Sequence, residues 1–395
     1  MYKKNLLLFV LFFVFLQLTA QQKLSPKATV SVITCGPGDE LYTAFGHSAF
    51  RIYDPILSID KVYNYGTFDF NAPNFYLNFA KGKLTYQLST SSFNRFIRIY
   101  KYENRWVKAQ ELNLTIVDVQ KVYAFLENNA KPQNKYYRYD FFYNNCATKI
   151  EDIIQQVLKN KVTFSYNYIN SNKTHRDLIA DYTHNFKWAK FGIDLALGSV
   201  IDKKATKKEY NFLPDYIFET FKNAVITNEN NQISPLVKKT STVISSKKIK
   251  VPYRLFSPFN VLLLLSLLIV FVTYRNYKSK RRTKFIDFAL YFSTGIIGVI
   301  VLLLWFATSH TATYKNLNFL WAFAPNLIVS FIVLKNKLPK WILIYNRILL
   351  VLITLTFIVW ILKIQIFNLA IIPFLLALII RYEYLIKYRK LTKFL

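Results

Sequence analysis

Apolar residues follow two regimes along this chain. Before Phe256 they come in short runs separated by polar residues. After it they come in long blocks. In the first regime Ala28–Thr34 alternates and is β-branched, which predicts a strand. A second strand is expected at Ser48–Tyr53, closed by Asp54-Pro55, and a third at Lys61–Phe70. Leu84–Leu88 and Arg95–Val107 read as further strands. Helical spacing of Val119, Val122, Tyr123 and Leu126 predicts a helix over Thr115–Asn128. Thr115 is its N-cap, and Asp118 gives a partial capping box. A second helix is expected over Cys146–Asn160, with Ile150, Ile153, Ile154, Val157 and Leu158 on one face. An α+β domain, an antiparallel sheet with helices, is therefore expected over residues 21–225. Ile226–Lys250 is polar and shows no clear period, so 226–255 reads as a linker.

The long blocks belong to a membrane. Five runs, near 256–274, 285–308, 318–334, 341–363 and 366–380, are long enough to cross about 30 Å of hydrocarbon. Residues 256–395 therefore read as an all-α transmembrane bundle of five helices. At the other end, Lys3 and Lys4 precede an apolar run from Asn5 to Leu16 and a small residue, Ala20. That is the pattern of a signal peptide over residues 1–20. Lys and Arg then set the orientation. The connections 275–284 and 335–340 and the tail 381–395 carry fourteen of them, while the opposite side has only Lys315 and Lys363. Under the positive-inside rule the C-terminus is cytoplasmic and residues 21–255 lie outside, in agreement with the signal peptide. Arg347 falls inside a span about two turns from the inner edge, where a long side chain snorkels.

Composition adds one point. The formal net charge is +30, and the exported part holds 33 Lys/Arg against 20 Asp/Glu. Export and the lack of any nucleic-acid motif exclude nucleic acid as the partner. An anionic phospholipid surface is the expected partner, and the lysines at 238, 239, 247, 248 and 250 approach it.

Candidate chemistry centres on two segments, Phe45-Gly46-His47-Ser48-Ala49-Phe50 and Tyr139-Asp140-Phe141-Phe142-Tyr143-Asn144-Asn145-Cys146-Ala147-Thr148. Cys146 opens a predicted helix after Asn144-Asn145, which are good N-cap types. A helix N-terminus and a neighbouring imidazole both favour the thiolate, which is the nucleophilic form. Free backbone N–H groups there can hold an oxyanion. His47, after Gly46, is the candidate base. A third polar group has to orient the imidazole, and Asn64 and Asp69 on the next strand are the candidates, with Asn64 favoured. Tyr143 and Asn145, beside the cysteine, are candidates for substrate contact. Two plainer readings compete: Cys146 as a buried small hydrophobe, and a Cys35–Cys146 disulfide, since the exported chain has only two cysteines. His175, His184 and His310 are too scattered to form a metal site. No metal and no cofactor is expected. In the outward loop 309–326, Lys315 is a candidate for a donor phosphate, and Asn316 and Asn318 for the substrate entrance beside Trp321 and Pro325.

These segments resemble the Lnb family. The resemblance is carried by Thr34-Cys35-Gly36-Pro37-Gly38-Asp39, Phe45–Ala49, Val62–Phe68 and Tyr143–Ala147. Phe191–Gly198, Phe212-Leu213-Pro214-Asp215, Asn316–Trp321 and Pro325-Asn326 extend it over nearly the whole mature chain. The order His before Cys is similar to that of circularly permuted papain-like thiol hydrolases and of lipid acyltransferases of the lecithin–retinol type. A second histidine shortly after the first, present in that last type, is missing here. The resemblance implies a permuted papain-like periplasmic domain anchored in a bacterial inner membrane. It implies transfer of a fatty acyl chain from a phospholipid to the α-amine of a diacylglyceryl-cysteine lipoprotein, with Cys146 as nucleophile and His47 as base. Two other functions compete: an amidase or lipid hydrolase of the same fold at the cell envelope, and a non-catalytic membrane assembly factor with a structural cysteine.

Overall fold

The structure, a computed structural model, describes residues 22–69, 71–83, 85–246 and 255–391. The expected signal peptide lies outside the described residues. Strands β1 (Thr29–Cys35), β2 (His47–Asp54) and β3 (Ile59–Thr67) form an antiparallel meander. Helix α1 (Phe75–Ala80) then leads to β4 (Thr85–Ser92), which pairs with β3. After helix α2 (Phe93–Tyr102), strand β5 (Val107–Leu112) returns to the other side of β1. Helix α3 (Ile116–Ala130), the short edge strand β6 (Tyr136–Arg138) and helix α4 (Thr148–Leu158) follow. Thr115 caps α3 as expected, its hydroxyl accepting from the Asp118 N–H at 3.2 Å.

Two expectations fail in this domain. Arg95–Val107 is largely not a strand. Ser92 caps α2 by accepting from the Arg95 N–H, and Phe93, Phe96 and Tyr100, spaced by three and four, are the buried side. The aromatic and branched residues in that run mimic a strand, but their spacing is helical. Residues 226–255 are also not simply a linker. A small sheet of β7 (Val162–Thr163), β8 (Val225–Thr227) and β9 (Ile233–Pro235) precedes β10 (Val237–Ile244). Strand β10 pairs with β5. The main sheet thus runs β10-β5-β1-β2-β3-β4-β6. The outward side chains of β10 are polar because it is an edge strand, so its pattern shows no core period.

The main sheet is covered on both faces. On one, Val32, Phe50, Ile52 and Tyr63 pack with Val122 and Leu126 of α3 and Ile150 and Ile154 of α4. On the other, Ile33, Cys35, Ala49 and Val62 pack under Phe93, Phe96 and Tyr100 of α2. Helices α5 (His175–Thr183), α6 (Lys187–Ala196) and α7 (Pro214–Lys222) complete the domain.

The C-terminal region is helical. Among the described residues four helical stretches are long and apolar enough to cross a membrane. They are α8 (Pro258–Ser279), α9 (Lys284–Phe306), α11 (Ile342–Ile361) and the stretch 369–388, most of which belongs to α12 (Ile372–Leu391). The expected span at 318–334 is not one continuous helix but a 3₁₀ turn, Leu317–Leu320, a non-helical stretch and a seven-residue helix, α10 (Asn326–Ile332). The broken segment still runs the length of the bundle, from Asn316 at the end of α6 to Val333 and Lys335, whose carbonyls accept from Arg282 in the α8–α9 turn. Pro325 removes a backbone donor at the break. Protein covers the exposed backbone. A Cβ on Gly298 of α9 would lie 2.0 Å from the Ala322 carbonyl oxygen, so α9 and this stretch touch backbone to backbone. Asn326 ties the break down, donating to Thr294 at 2.9 Å and accepting from the Tyr345 hydroxyl at 2.5 Å.

Arg347 is exposed on α11, as snorkelling requires. Arg381 departs from its expected place in the charged tail. It is fully buried and ion-paired to Asp287, with Arg282 on the same carboxylate. Helix α12 continues past residue 380, which carries Arg381 beside the α8–α9 turn. There Tyr384 donates to the Arg281 carbonyl at 2.6 Å.

Candidate active site

The β2–β3 pairing places His47 and Asn64 on one end of the sheet. The β2–β3 register pairs Phe50 with Tyr63. Continued outward, it sets Ala49 opposite Asn64 and makes His47 a diagonal neighbour of Asn64 on the same face. The His47 ring closes on Asn64, Nε2 to Oδ1 at 2.5 Å. Beyond Asn64 the β3–β4 register shifts, and Gly66 sits at φ +86° within that irregularity. A bulge of this kind re-aims a strand at its end. A Cβ on Gly66 would lie 3.4 Å from Cys146 Cβ and 3.7 Å from the Tyr139 ring. Glycine here meets both needs, the left-handed backbone and the close passage of Cys146.

Cys146 arrives on the turn before α4. Asn145 holds that turn: its Oδ1 accepts from the N–H of Ala147 at 2.8 Å and of Thr148 at 2.9 Å. Its Nδ2 donates to the carbonyls of Phe141 and Phe212, each at 2.7 Å. Asp140 shapes the preceding turn by accepting from the N–H of Phe142 and Tyr143. Cys146 thus stands one residue outside the α4 N-cap rather than inside the helix.

The electrostatics follow from this packing. Burial opposes ionisation of both Cys146 and His47. The imidazole charge and a His47–Cys146 hydrogen bond nonetheless hold the thiol below its ordinary value, helped by the N–H groups of Ser48 and Cys146 itself. His47 is raised, its desolvation being outweighed by the Cys146 charge and by hydrogen bonds to Cys146 and Asn64. Since Nε2 serves Asn64, the remaining ring nitrogen, Nδ1, faces the sulfur. Each group thus favours the charged form of the other, in the direction of a thiolate–imidazolium pair.

Cys35 lies opposite His47 on β1 but takes no such part. Both cysteines are free, which removes the disulfide reading. Cys35 is fully buried, and that burial pushes its thiol up to about 12. It therefore behaves as a small core residue.

The remaining sequence-predicted residues separate into two groups. Tyr143 is 55% exposed, with its ring 6.1 Å from that of His175. Asp69 lies past the end of β3, exposed, and accepts from the Asn71 N–H; it does not reach His47. Asn145 is buried, and its amide is fully engaged in holding the cysteine turn, so it has no free donor or acceptor for substrate. Asn316 and Asn318 are 0% and 1% exposed. Asn316 Nδ2 donates to the Leu195 and Ala196 carbonyls at 2.8 and 3.0 Å, and Asn318 Nδ2 to the Asp194 carbonyl at 3.0 Å. These are open carbonyls at the C-terminal end of α6. The two asparagines therefore dock the sheet domain on the bundle instead of lining an entrance. Gln365 and Asn368 reinforce the joint, bonding Asn316 and Asp194. Lys315 is exposed, with its ammonium 5.6 Å from the Tyr314 ring centre.

His175 is buried against Phe142 and Phe212 behind the cysteine turn, and His184 bonds the Asp181 carbonyl. Among the described residues no group of three or more His, Cys, Asp and Glu is arranged to hold a metal. The docking joint and the Asn145 bracket are functional features that reading the chain missed. Four side-chain hydrogen bonds converge on Asn145, and the Asx-type spacing from Asn145 to Ala147 was the local signal.

Comparison with known families decides the lineage. Residues 17–180 match the Lnb N-terminal periplasmic domain and residues 250–391 the Lnb transmembrane domain. The two matches follow one another in order and together take in most of the chain. The chain belongs to the Lnb family. No curated protein and no solved structure matches it. This Lnb chain is a membrane protein with a periplasmic N-terminal domain. Cys146, His47 and Asn64 all fall within the stretch matching that domain.

Proposed function

We propose that this Lnb chain is a lipoprotein N-acyltransferase of the bacterial inner membrane, with its sheet domain in the periplasm and its C-terminus in the cytoplasm. The observation that carries this reading is the Cys146–His47–Asn64 constellation on a domain docked directly onto a membrane bundle. A permuted papain-like arrangement is the fold reading that accompanies it. Both substrates are anchored in lipid, so a nucleophile held at the bilayer surface meets them by two-dimensional diffusion.

The Cys146 thiolate attacks an ester carbonyl of a phospholipid, forming a C–S bond. The N–H groups of Ser48 and Cys146, which now face the sulfur, are the donors closest to the developing oxyanion. As the tetrahedral intermediate collapses, the C–O bond breaks and the His47 imidazolium protonates the departing lysophospholipid. A thioester on Cys146 and a neutral imidazole remain. The α-amine of a diacylglyceryl-cysteine lipoprotein then attacks the thioester, and His47 takes its proton. Loss of the thiolate completes the amide and restores the ion pair. Asn64 keeps Nε2 occupied, so that Nδ1 points at the sulfur throughout.

The test is chemical. Reconstituted with phospholipid alone, the protein should carry one acyl group on Cys146; a diacylglyceryl lipopeptide should remove it as an N-acyl product. Free fatty acid as the product, with the lipopeptide unchanged, would establish a hydrolase instead.

A further inference from the structure

Helix α1 differs from the other surface helices of the periplasmic domain. Its sequence, Phe-Tyr-Leu-Asn-Phe-Ala, carries no charge. Tyr76, Leu77 and Phe79 are 76%, 52% and 55% exposed. Large apolar side chains grouped in this way mark a contact surface. Its attachments show what covers it. The Ser309 N–H donates to the Lys81 carbonyl at 2.8 Å, and His310 Nε2 bonds the Phe79 and Ala80 carbonyls at 3.1 and 3.2 Å. These bonds pin the end of α1 to the chain leaving α9. The last turns of α9 present Leu303 and Phe306, 54% and 72% exposed, on a membrane-spanning helix. Helix α1 therefore continues the lipid-facing surface of the bundle at the level where aromatic side chains meet the bilayer interface.

On its inner side α1 is linked to the active site by rings. Phe75 is buried, with its ring 5.7 Å from Phe68. Phe68 lies 5.3 Å from Tyr86, which stacks on Tyr139 at 4.0 Å. Tyr139 and Cys146 flank the same space beside Gly66. We propose that α1 is a lip inserted in the periplasmic leaflet, and that Phe75, Phe68, Tyr86 and Tyr139 form an apolar ramp along which a lipid acyl chain reaches Cys146. The ramp rests on the acyltransferase reading; the insertion of α1 does not. The ramp is passive. It supplies apolar contact to a chain withdrawn from the bilayer, and no bond is made or broken along it.

The experiment uses the full chain in phosphatidylethanolamine–phosphatidylglycerol vesicles. Leu77→Cys is compared with Ile56→Cys, both in a Cys146→Ser background; Cys35 is buried and does not label. Ile56 is equally apolar and 58% exposed, but it lies past the opposite end of the eight-residue strand β2, roughly 25 Å from His47 at about 3.4 Å per residue. With a bimane label, the Leu77 position should be quenched by acyl-chain nitroxide lipid and shielded from iodide, and the Ile56 position the reverse. Iodide quenching at Leu77 without lipid quenching would overturn the lip. Separately, Leu77→Asp and Phe79→Asp, with Cys146 intact, should lower acylation of Cys146 from vesicle phospholipid about tenfold. Iodoacetamide alkylation of Cys146 should stay unchanged. Acylation at the wild-type rate in both variants would overturn the ramp. If the unmodified protein gains no acyl group while lipid quenching persists, the acyltransferase reading falls and the lip stands.

Discussion

Asn64→Ala removes the acceptor on His47 Nε2, now 2.5 Å away. A hydrogen bond to a charged group contributes about 1.5–3 kcal/mol. Asn64 serves the imidazolium more than the neutral ring, so most of that is differential. At about 1.4 kcal/mol per factor of ten, its loss weakens the imidazolium's hold on its proton by ~10–100-fold. The site is half-buried and water can replace part of the bond, which favours the lower end. The sign is fixed by the ion pair. His47 is raised by the Cys146 charge and Cys146 lowered by the imidazolium charge, so each stabilises the charged form of the other and the balance moves toward the thiolate–imidazolium pair. Without Asn64 the imidazolium is easier to deprotonate and attracts the thiolate less, so the thiol titrates higher. Iodoacetamide alkylation of Cys146, followed from pH 5 to 10, should therefore fall about tenfold near neutrality and converge with wild type at high pH. Acyl transfer should fall by ~10–100-fold, because the ring also loses its orientation. Asn64→Asp should restore the alkylation window. An Asn64→Ala profile superimposable on wild type would refute the claim that Asn64 orients and charges His47.

Two further outcomes concern the frame. Asn316→Ala and Asn318→Ala each strip donors from buried carbonyls at the end of α6, so each should lower stability by about 1–3 kcal/mol, read as a lower Tm of the full chain in detergent. Lys315→Ala should not; equal Tm values across the three would show that the asparagines are not the joint. Asp287→Asn leaves Arg381 and Arg282, both buried, without their counter-charge. A loss of about 3–5 kcal/mol is expected, visible as reduced abundance in membranes, and wild-type abundance and Tm would refute it.

His47 and Cys146 were legible because each sits in a short motif of distinctive chemistry, and Asn64, with Asp69 as its alternative, because pairing of two strands across the Asp54–Ser58 turn can bring a residue there beside His47. The capping residue Thr115 was legible for the same local reason. What escaped was non-local. Strand β10 follows β5 by more than a hundred residues, and only its pairing makes it a strand. The run 318–334 has the hydropathy of a span, yet Pro325 and the small faces of Gly295 and Gly298 break it against α9. Asn316 and Asn318 have the polarity of a substrate entrance. Their partners, the carbonyls of α6, lie about 120 residues away in the chain, a distance that no spacing pattern conveys. Arg381 carried the same ambiguity: as a charge near a helix end it counts toward topology, and only its pairing with Asp287 shows it to be internal.

The central claim is that Cys146 carries the acyl group. Intact-mass spectrometry of the full-length protein, reconstituted with a single phospholipid species and acid-quenched before any acceptor is added, tests it most directly. The expected result is a mass increase of one acyl chain on wild type, removed by neutral hydroxylamine and absent in Cys146→Ala. An unmodified wild-type mass, or the same adduct in Cys146→Ala, would contradict it.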